Sequence, residues 1–295
     1  MILNVSGRTD IIAFYEKWFM NRLNAGFVDV RNPFNPNLVS RINFSDVDLI
    51  LFCTKNPIPI LNDLDKIKIP FIFHVTITPY KNDIEPNVIL KTEIINAVKK
   101  ISTIIGKDNI YIRYDPIFLS DKYNIVYHIK VFHKLCTLLK GYVNTIIVSF
   151  LDEYKNVLKN KNILKYRQFT ENEYKLIGEN FSNIARTNNM VVQTCFEDRN
   201  LTEYGFKKGE CLSHELAYKL TGKTYKSWKA RKERKCECVE MVDIGCYNSC
   251  KHFCKYCYAN YDEKMVNENF KNHDVNSSLL CGNLKKDDII KVRNK

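Results

Sequence analysis

Residues 49–54, LILFCT, and residues 71–78, FIFHVTIT, are two short runs of apolar and β-branched residues that end in polar groups. Runs of this length, bounded by turn residues, are typical of buried strands in a parallel sheet. Four further runs share the pattern: LNV near Leu3, IYIRY ending at Tyr114, TIIVSF ending at Phe150 and MVVQTC ending at Cys195. Longer stretches with helical periodicity lie between them. This alternation predicts βα units and an α/β fold.

The stretch after the first run has the pattern of a helix that faces a core. Apolar and aromatic residues recur at helical spacing from Ile11 to Leu23, after an N-cap signal at Thr9 and Asp10, and Gly26 stands where the helix should end. Aromatic residues in such a stripe are most simply core residues. We therefore predict that residues 1–222 form a partial (β/α) barrel of about six parallel strands.

Polar residues follow the predicted strands. The carboxyl ends of parallel strands meet at the active-site side of a barrel, so these residues predict a site there. A guanidinium at this edge can bind a carboxylate through two hydrogen bonds. Asp10 fits a helix cap about as well as a functional role. The candidate catalytic residues are Arg8, Asp10, Lys55, Arg113 and Asp115, and the candidate ligand contacts on strands are Thr76 and Thr78.

The formal net charge of +12 raises the question of a nucleic-acid partner. Lysine is spread along the whole chain, however, which favours an ordinary solvated surface. The exception is residues 223–235, where seven basic residues meet only Glu233, and this stretch is the candidate contact for a polyanion. No apolar run approaches the roughly 20 residues that span a bilayer, and the first residues lack a signal-peptide pattern. We expect a cytoplasmic protein without membrane contact.

The eleven cysteines are distributed unevenly. In a cytosolic protein thiols stay reduced, and clustered cysteines more often bind metal than form disulfides. Cys250, Cys254 and Cys257 are separated by three and two residues, a spacing that brings three soft ligands together on one loop. They suit a 4Fe-4S cluster with one iron left open. The alternative is a zinc site completed by a thiolate from Cys236 or Cys238.

A second candidate metal set contains four cysteines: Cys195, Cys211, Cys236 and Cys238. They could hold an auxiliary iron-sulfur cluster or a zinc ion, with inert buried thiols as the alternative. Cys246 precedes Cys250 by four residues and could compete for either site. His252 and His273 lie near the cysteines, but we expect exposed loop residues outside the coordination sphere.

Residues 223–295 differ in composition from the rest of the chain. The β/α rhythm stops there, and a basic, cysteine-rich segment precedes a polar tail. A segment with so few apolar residues cannot build its own core. We therefore predict a cluster-binding segment that folds over the mouth of the barrel.

The run CKHFCKYC at residues 250–257 resembles the cluster motif of radical S-adenosylmethionine (SAM) enzymes, with Tyr256 as its aromatic residue. This resemblance implies a 4Fe-4S cluster whose open iron chelates the amino and carboxylate groups of SAM. It places Tyr256 beside the adenine and Asn260 at the pocket. It also implies that the reduced cluster cleaves SAM to methionine and a 5'-deoxyadenosyl radical, which takes a hydrogen atom from substrate. The electron donor would be a protein such as flavodoxin or ferredoxin.

Motifs along nearly the whole chain resemble the domain of unknown function 1848 family: GRTDI, VRNPFNP, FCTKNP, RYDPI and DIGCYNSCKHFCKYCYAN. Members of that family carry a radical-SAM-like cluster at the C-terminal end, whereas ordinary radical SAM enzymes place the cysteine loop after the first barrel strand. The resemblance implies a radical SAM-type enzyme of unidentified substrate. The residues leave two alternatives open, a zinc-stapled nucleic-acid-binding protein and a non-catalytic iron-sulfur protein.

Overall fold

The structure is a computed structural model that describes residues 1–195, 197, 199–228 and 237–293. The strands are β1 (Ile2–Val5), β2 (Phe27–Arg31), β3 (Leu38–Asn43), β4 (Leu49–Thr54), β5 (Phe71–Thr76), β6 (Ile110–Ile117), β7 (Thr145–Phe150), β8 (Val191–Thr194), β9 (Lys207–Lys208), β10 (Val242–Asp243) and β11 (Ile289–Val292). The helices are α1 (Ile11–Phe14), α2 (Glu16–Ala25), α3 (Lys91–Ile105), α4 (Ile125–Leu139), α5 (Lys155–Lys159), α6 (Lys161–Leu164), α7 (Glu171–Thr187), α8 (His214–Thr221) and α9 (Glu263–Lys271). Single turns of 3-10 helix lie at Phe44–Asp46, Ile58–Ile60, Leu64–Lys66, Lys107–Asn109 and Thr202–Tyr204.

Eight strands form one parallel sheet in the order β10-β1-β4-β5-β6-β7-β8-β9. From β1 to β9 the neighbours in this sheet follow chain order, which is the winding of a (β/α) barrel. The hydrogen-bonded ladder stays open between β9 and β10 in the described residues. The predicted α/β partial barrel is confirmed, and its six predicted strands are β1 and β4 to β8. The two-residue strands β9 and β10 extend it at the two edges.

Aromatic side chains fill the core between the sheet and its helices. Phe52 and Phe73 stack on neighbouring strands with ring centroids 4.8 Å apart. Phe132 of α4 and Phe181 of α7 stack at 3.8 Å, which joins these two helices. Burying each such side chain stabilises the fold by about 1.5–3 kcal/mol. Every helix in the described ranges is too short or too polar to cross a bilayer.

The predicted first helix is interrupted at Tyr15, which separates α1 from α2. The Asp10 side chain caps α1 by accepting a hydrogen bond of 3.0 Å from the Ala13 N–H. Gly26 ends α2 at φ 81°, a conformation that glycine adopts without a steric penalty. The start and the end of this helical region are therefore as predicted.

The cysteine-rich segment joins the main sheet through β10, which pairs in parallel with β1. In this pairing Asp243 lies opposite Asn4. A second sheet contains β2, β3 and β11 in the order β11-β3-β2. Pairing of β10 with β1 brings the chain to the carboxyl ends of the strands just before the cysteine loop. The predicted domain boundary between residues 222 and 223 stays a prediction.

Candidate functional site

A cavity of about 420 Å³ lies at the carboxyl ends of the parallel strands. All five candidate catalytic residues line it: Arg8, Asp10, Lys55, Arg113 and Asp115. Thr76 lines it as well. Cysteines from both candidate sets also line this cavity: Cys195, Cys211, Cys250, Cys254 and Cys257. The structure therefore brings the predicted strand-end residues and both groups of thiols to one place. Their catalytic roles stay predictions.

The loop that carries Cys250, Cys254 and Cys257 is closed at its base by two asparagines. The side-chain oxygen of Asn248 accepts hydrogen bonds from the backbone N–H groups of Tyr261 at 2.8 Å and Asp262 at 3.1 Å. Asn260 Nδ2 donates to the Cys250 carbonyl at 2.5 Å. Asn260, predicted beside the ligand pocket, thus fixes the conformation of the cysteine loop.

Contacts from several elements hold this loop against the barrel. His252 Nε2 and Asp10 Oδ2 lie 2.8 Å apart, and the Tyr258 hydroxyl donates to the Gly7 carbonyl. Asn156 Nδ2 donates to the carbonyl of Cys257 at 2.8 Å. The cysteine loop is therefore seated on the carboxyl end of β1 and on α5.

The expectation of an exposed His252 was wrong. Its side chain is only 3% exposed, because it lies between Asp10 and the ring of Phe14, whose centroid is 4.6 Å away. His273 is half-buried, and its Nδ1 is 2.9 Å from the carbonyl oxygen of Leu280. The polarity of the surrounding sequence concealed this packing against the first helical region.

Glu85 is a buried residue of the site that sequence analysis missed. Its carboxylate accepts hydrogen bonds from Lys55 Nζ at 2.8 Å and from Thr78 Oγ1 at 2.6 Å. The Tyr256 hydroxyl and the Lys91 ammonium group also donate to it. Burial raises the pKa of Glu85, but the two lysines outweigh this effect and hold it below its ordinary value. A lone glutamate in a turn-rich segment has no periodic signal that would have revealed it.

Two residues that were predicted to contact a ligand belong to the hydrogen-bond network around Glu85. Thr78 and Tyr256 both donate to Glu85, and Tyr256 lines the cavity whereas Thr78 does not. Lys55 Nζ lies 5.6 Å from the centroid of the Tyr256 ring. Burial lowers the pKa of Lys55 and Glu85 raises it, with a net pKa above the ordinary value. Lys55 is thus a largely buried cation, 13% exposed, beside the cysteine loop.

The second set of thiols converges at the other side of the cavity. The sulfur atoms of Cys195, Cys211 and Cys238 all lie within 4.8 Å of one another, with 2.9 Å between Cys195 and Cys211 and 3.9 Å between Cys195 and Cys238. These three cysteines, here called the Cys195 group, could hold a metal ion. Cys236, the fourth member of the predicted set, lies outside the described residues.

Arg113 connects this thiol group to Asp115. Its Nη1 donates to Cys211 Sγ at 3.0 Å, and its Nε donates to Asp115 Oδ2 at 2.9 Å. Hydrogen bonds with Cys195 and Cys238, together with the charge of Arg113, lower the pKa of Cys211 below its ordinary value. The guanidinium therefore favours the thiolate form of Cys211.

His74 is buried beside the same thiol group. Burial and the positive charge of Arg113 lower its pKa to about 4. Neither ring nitrogen has a well-aligned hydrogen-bond partner in the part of the chain that the structure describes, and the Cys211 backbone interacts with the ring only weakly. A buried imidazole without a well-aligned partner is unusual and calls for a physical explanation.

The thiols of the C-terminal loop have a different environment. Burial raises the pKa of Cys254 to about 12, and it also raises the pKa values of Cys250 and Cys257. Without a metal these groups are neutral thiols. Cys246 is not among the residues that line the cavity, and a hydrogen bond from Cys281 lowers its pKa.

The basic stretch can be described only in part. Lys223 pairs with Asp48, with 2.5 Å between Nζ and Oδ1. Residues 229–235, which include most of the predicted polyanion contact, lie outside the described residues.

The family model described as "Domain of unknown function (DUF1848)" matches residues 2–259, a range that includes both candidate cysteine sets. No curated protein and no solved structure matches the chain.

Proposed function

Because the chain belongs to the DUF1848 family, whose description assigns no activity, we propose a function from the site itself: an iron-sulfur enzyme of the radical SAM type. The observation that carries this proposal is the position of Cys250, Cys254 and Cys257. They lie on one loop with a fixed base and line the cavity where the parallel strands end. A substrate bound in this cavity would lie close to a reactive group held by the three cysteines of the loop.

The arrangement of these thiols fits a four-iron cluster better than a single ion. A tetrahedral zinc ion with bonds of about 2.3 Å holds its thiolates about 3.8 Å apart. In the described residues, the cysteines gathered closely enough to share one ion are Cys195, Cys211 and Cys238, and this group does not include Cys250, Cys254 or Cys257. A cluster binds each thiolate to a different iron, so its ligands need not lie that close together.

In the part of the chain that the structure describes, this loop brings three thiols to the cavity, and three thiolates would leave one iron of such a cluster free to bind SAM. Cys246 is the nearest further cysteine in the sequence, but its thiol forms a hydrogen bond with the thiol of Cys281 and it does not line the cavity. A 4Fe-4S cluster held by these three cysteines would supply the electron for reductive cleavage of SAM, and an external donor such as flavodoxin or ferredoxin would reduce it.

The chain's own residues would position SAM and substrate. Burial raises the pKa values of Cys254 and Cys257, and the charge of Lys55 partly offsets this effect and so favours their thiolate forms. Glu85 fixes the ring of Tyr256 through the tyrosine hydroxyl, and this leaves the ring as a wall of the cavity. Arg113 and Asp115, which lie near the Cys195 group, are our candidates for holding the substrate.

The proposal is tested with full-length protein purified without oxygen. We expect about four irons and four sulfides per chain, and slow release of 5'-deoxyadenosine from SAM after addition of dithionite. Cys250→Ala, Cys254→Ala and Cys257→Ala together should abolish both, whereas Cys53→Ala should retain the iron. Colourless protein that contains only zinc would refute the cluster. Four irons without 5'-deoxyadenosine would indicate an electron-transfer or structural protein instead.

A further inference from the structure

We propose that Cys195, Cys211 and Cys238 bind one thiophilic metal ion, with zinc as the expected occupant, and not a second iron-sulfur cluster. The first argument is spacing. The sulfur atoms of a tetrahedral zinc site lie about 3.8 Å apart, given bonds of about 2.3 Å. The distance between Cys195 and Cys238 is 3.9 Å, that between Cys195 and Cys211 is 2.9 Å, and all three sulfur atoms lie within 4.8 Å of one another. These thiolates can share one ion after Cys195 and Cys211 separate by about 0.9 Å, and they are too close together for each to bind a separate iron of a cube.

The second argument is the set of donors around the sulfur atoms. The backbone N–H of Cys211 donates to Cys238 Sγ at 3.2 Å, and Arg113 Nη1 donates to Cys211 Sγ at 3.0 Å. Three thiolates exceed the charge of one divalent ion, so a guanidinium in contact with them offsets the remaining negative charge. Inert thiols that serve only as small apolar groups do not need such a partner.

The third argument is the environment of His74. Its ring is 1% exposed, and neither nitrogen has a well-aligned hydrogen-bond partner among the described residues, with only a weak interaction with the Cys211 backbone. A buried imidazole in this position beside three thiols is explained if a metal-bound water or ligand completes its surroundings. This observation is independent of the spacing of the sulfur atoms.

The position of the group suggests what the ion would do. Cys195 and Cys211 line the cavity, and so do the three thiols of the C-terminal loop. Three cysteines are available as ligands in the part of the chain that the structure describes, which does not include Cys236. A zinc ion with three protein ligands keeps a fourth position for water or a ligand, whereas closed structural sites have four. We infer that this position faces the cavity and binds a lone-pair donor of the substrate. Only this last step rests on the proposed function.

Metal analysis of the full-length protein tests the site. We expect about one zinc per chain, with three sulfur ligands and one lighter ligand in X-ray absorption at the zinc edge. Cys195→Ser, Cys211→Ser and Cys238→Ser should each weaken zinc binding by roughly tenfold or more in competition with a chelator. Cys53→Ser is the matched control, because Cys53 lines the same cavity outside the group, and it should retain the zinc.

The two metal sites can fail separately. Cys250→Ala, Cys254→Ala and Cys257→Ala together should remove iron and leave zinc, so loss of the cluster proposal does not remove this one. The wild-type spectrum remains informative if a serine variant fails to fold. Four sulfur ligands would overturn the open position. Additional iron and sulfide in place of zinc, or a metal-free Cys195–Cys211 disulfide, would overturn the single-ion site.

Discussion

Glu85 is the buried charge on which the cysteine loop depends. Its carboxylate is 1% exposed and pairs with Lys55 and Lys91, and it also accepts the Tyr256 hydroxyl. Removing one member of a buried ion pair leaves the other charge without compensation, which costs about 3–5 kcal/mol. Here two lysines lose their partner at once, although Lys91 is 29% exposed and keeps part of its hydration.

We therefore predict that Glu85→Gln lowers the free energy of unfolding by about 3 kcal/mol, measured by urea denaturation. The matched control is Glu179→Gln. Glu179 pairs with Lys175 at 3.8 Å, and both side chains are more than half exposed, so this change should cost less than about 0.5 kcal/mol. If both variants lost the same free energy of unfolding, the buried ion pairs of Glu85 would not stabilise the fold more than an exposed pair does.

His128 provides a test of pH dependence away from the thiols. Its ring is buried beside Tyr80, Tyr114 and Tyr127, and burial lowers its pKa to about 4, with a smaller opposing effect of the Phe118 carbonyl. The unfolded chain therefore takes up the proton first as the pH falls. The stabilisation is fully present above the unfolded pKa of about 6.5 and is lost between that pH and about 4.

We predict that His128→Gln, which cannot titrate, loses less stability than the wild type when the pH falls from 7 to 4.5. The difference between the two proteins should change by about 2 kcal/mol over this range, because each pKa unit corresponds to about 1.4 kcal/mol. Urea denaturation at a series of pH values measures it, and the other titrating groups cancel in the difference. If the free energies of unfolding of the two proteins changed with pH in parallel, His128 would not be a buried neutral ring.

At the level of secondary structure, the main strands could be predicted because each is a buried run of residues. Strands β1 and β4 to β8 have four to eight residues each, enough for a pattern of composition. Strands β9 and β10 have two residues each, and only pairing with a neighbour defines them. No local signal in the sequence can reveal such a strand.

The candidate site was predictable to the same degree. Residues at the ends of parallel strands share an edge, so Arg113 and Lys55 could be assigned to the cavity from their position in the chain alone. The spacing of Cys250, Cys254 and Cys257 likewise indicated one thiol group, whereas Cys195 and Cys211 are scattered in the sequence and carry no comparable signal. Glu85 and His252 could not be found, because their burial depends on contacts with residues that are distant in sequence.

The junction between β1 and β10 depends on a close backbone approach at Gly245. A Cβ atom at this position would lie 2.0 Å from Ser6 Oγ and 3.0 Å from Ser6 Cβ. Ser6 also donates to Asp243 at 2.9 Å, so its side chain cannot move away without losing a hydrogen bond. Only glycine fits without displacing the end of β1.

We predict that Gly245→Ala lowers the free energy of unfolding by about 1–3 kcal/mol. Ser6→Ala removes the nearest obstructing atom, so the double variant should be more stable than the sum of the two single effects implies. Urea denaturation of the four proteins of this cycle measures the coupling. Strict additivity would exclude the steric contact as the cause.

At the scale of the whole molecule, the cysteine loop connects segments that are far apart in the sequence. The Asn87 N–H donates to the His252 carbonyl at 3.3 Å, and the Lys255 N–H donates to the Ile84 carbonyl at 2.9 Å. On the opposite side, Asn160 Nδ2 donates to the Lys255 carbonyl at 2.7 Å. Metal binding to this loop should therefore stabilise segments that contain no metal ligand.

We predict that loading iron and sulfide into the metal-free protein slows amide hydrogen exchange at residues 84–87 and 250–260, measured by mass spectrometry. A ligand that binds the closed loop adds its binding free energy to the cost of every opening that breaks the site. Strands β2 and β3 pair with β11 in a separate sheet, so their amides serve as the internal control and should exchange at unchanged rates. Cys254→Ala should abolish the effect at residues 84–87, although it leaves their own hydrogen-bonding groups intact. Slowed exchange confined to residues 250–260 would mean that the loop binds its metal without being coupled to the barrel, and the cavity would then lack the fixed wall that a reaction between two bound ligands requires.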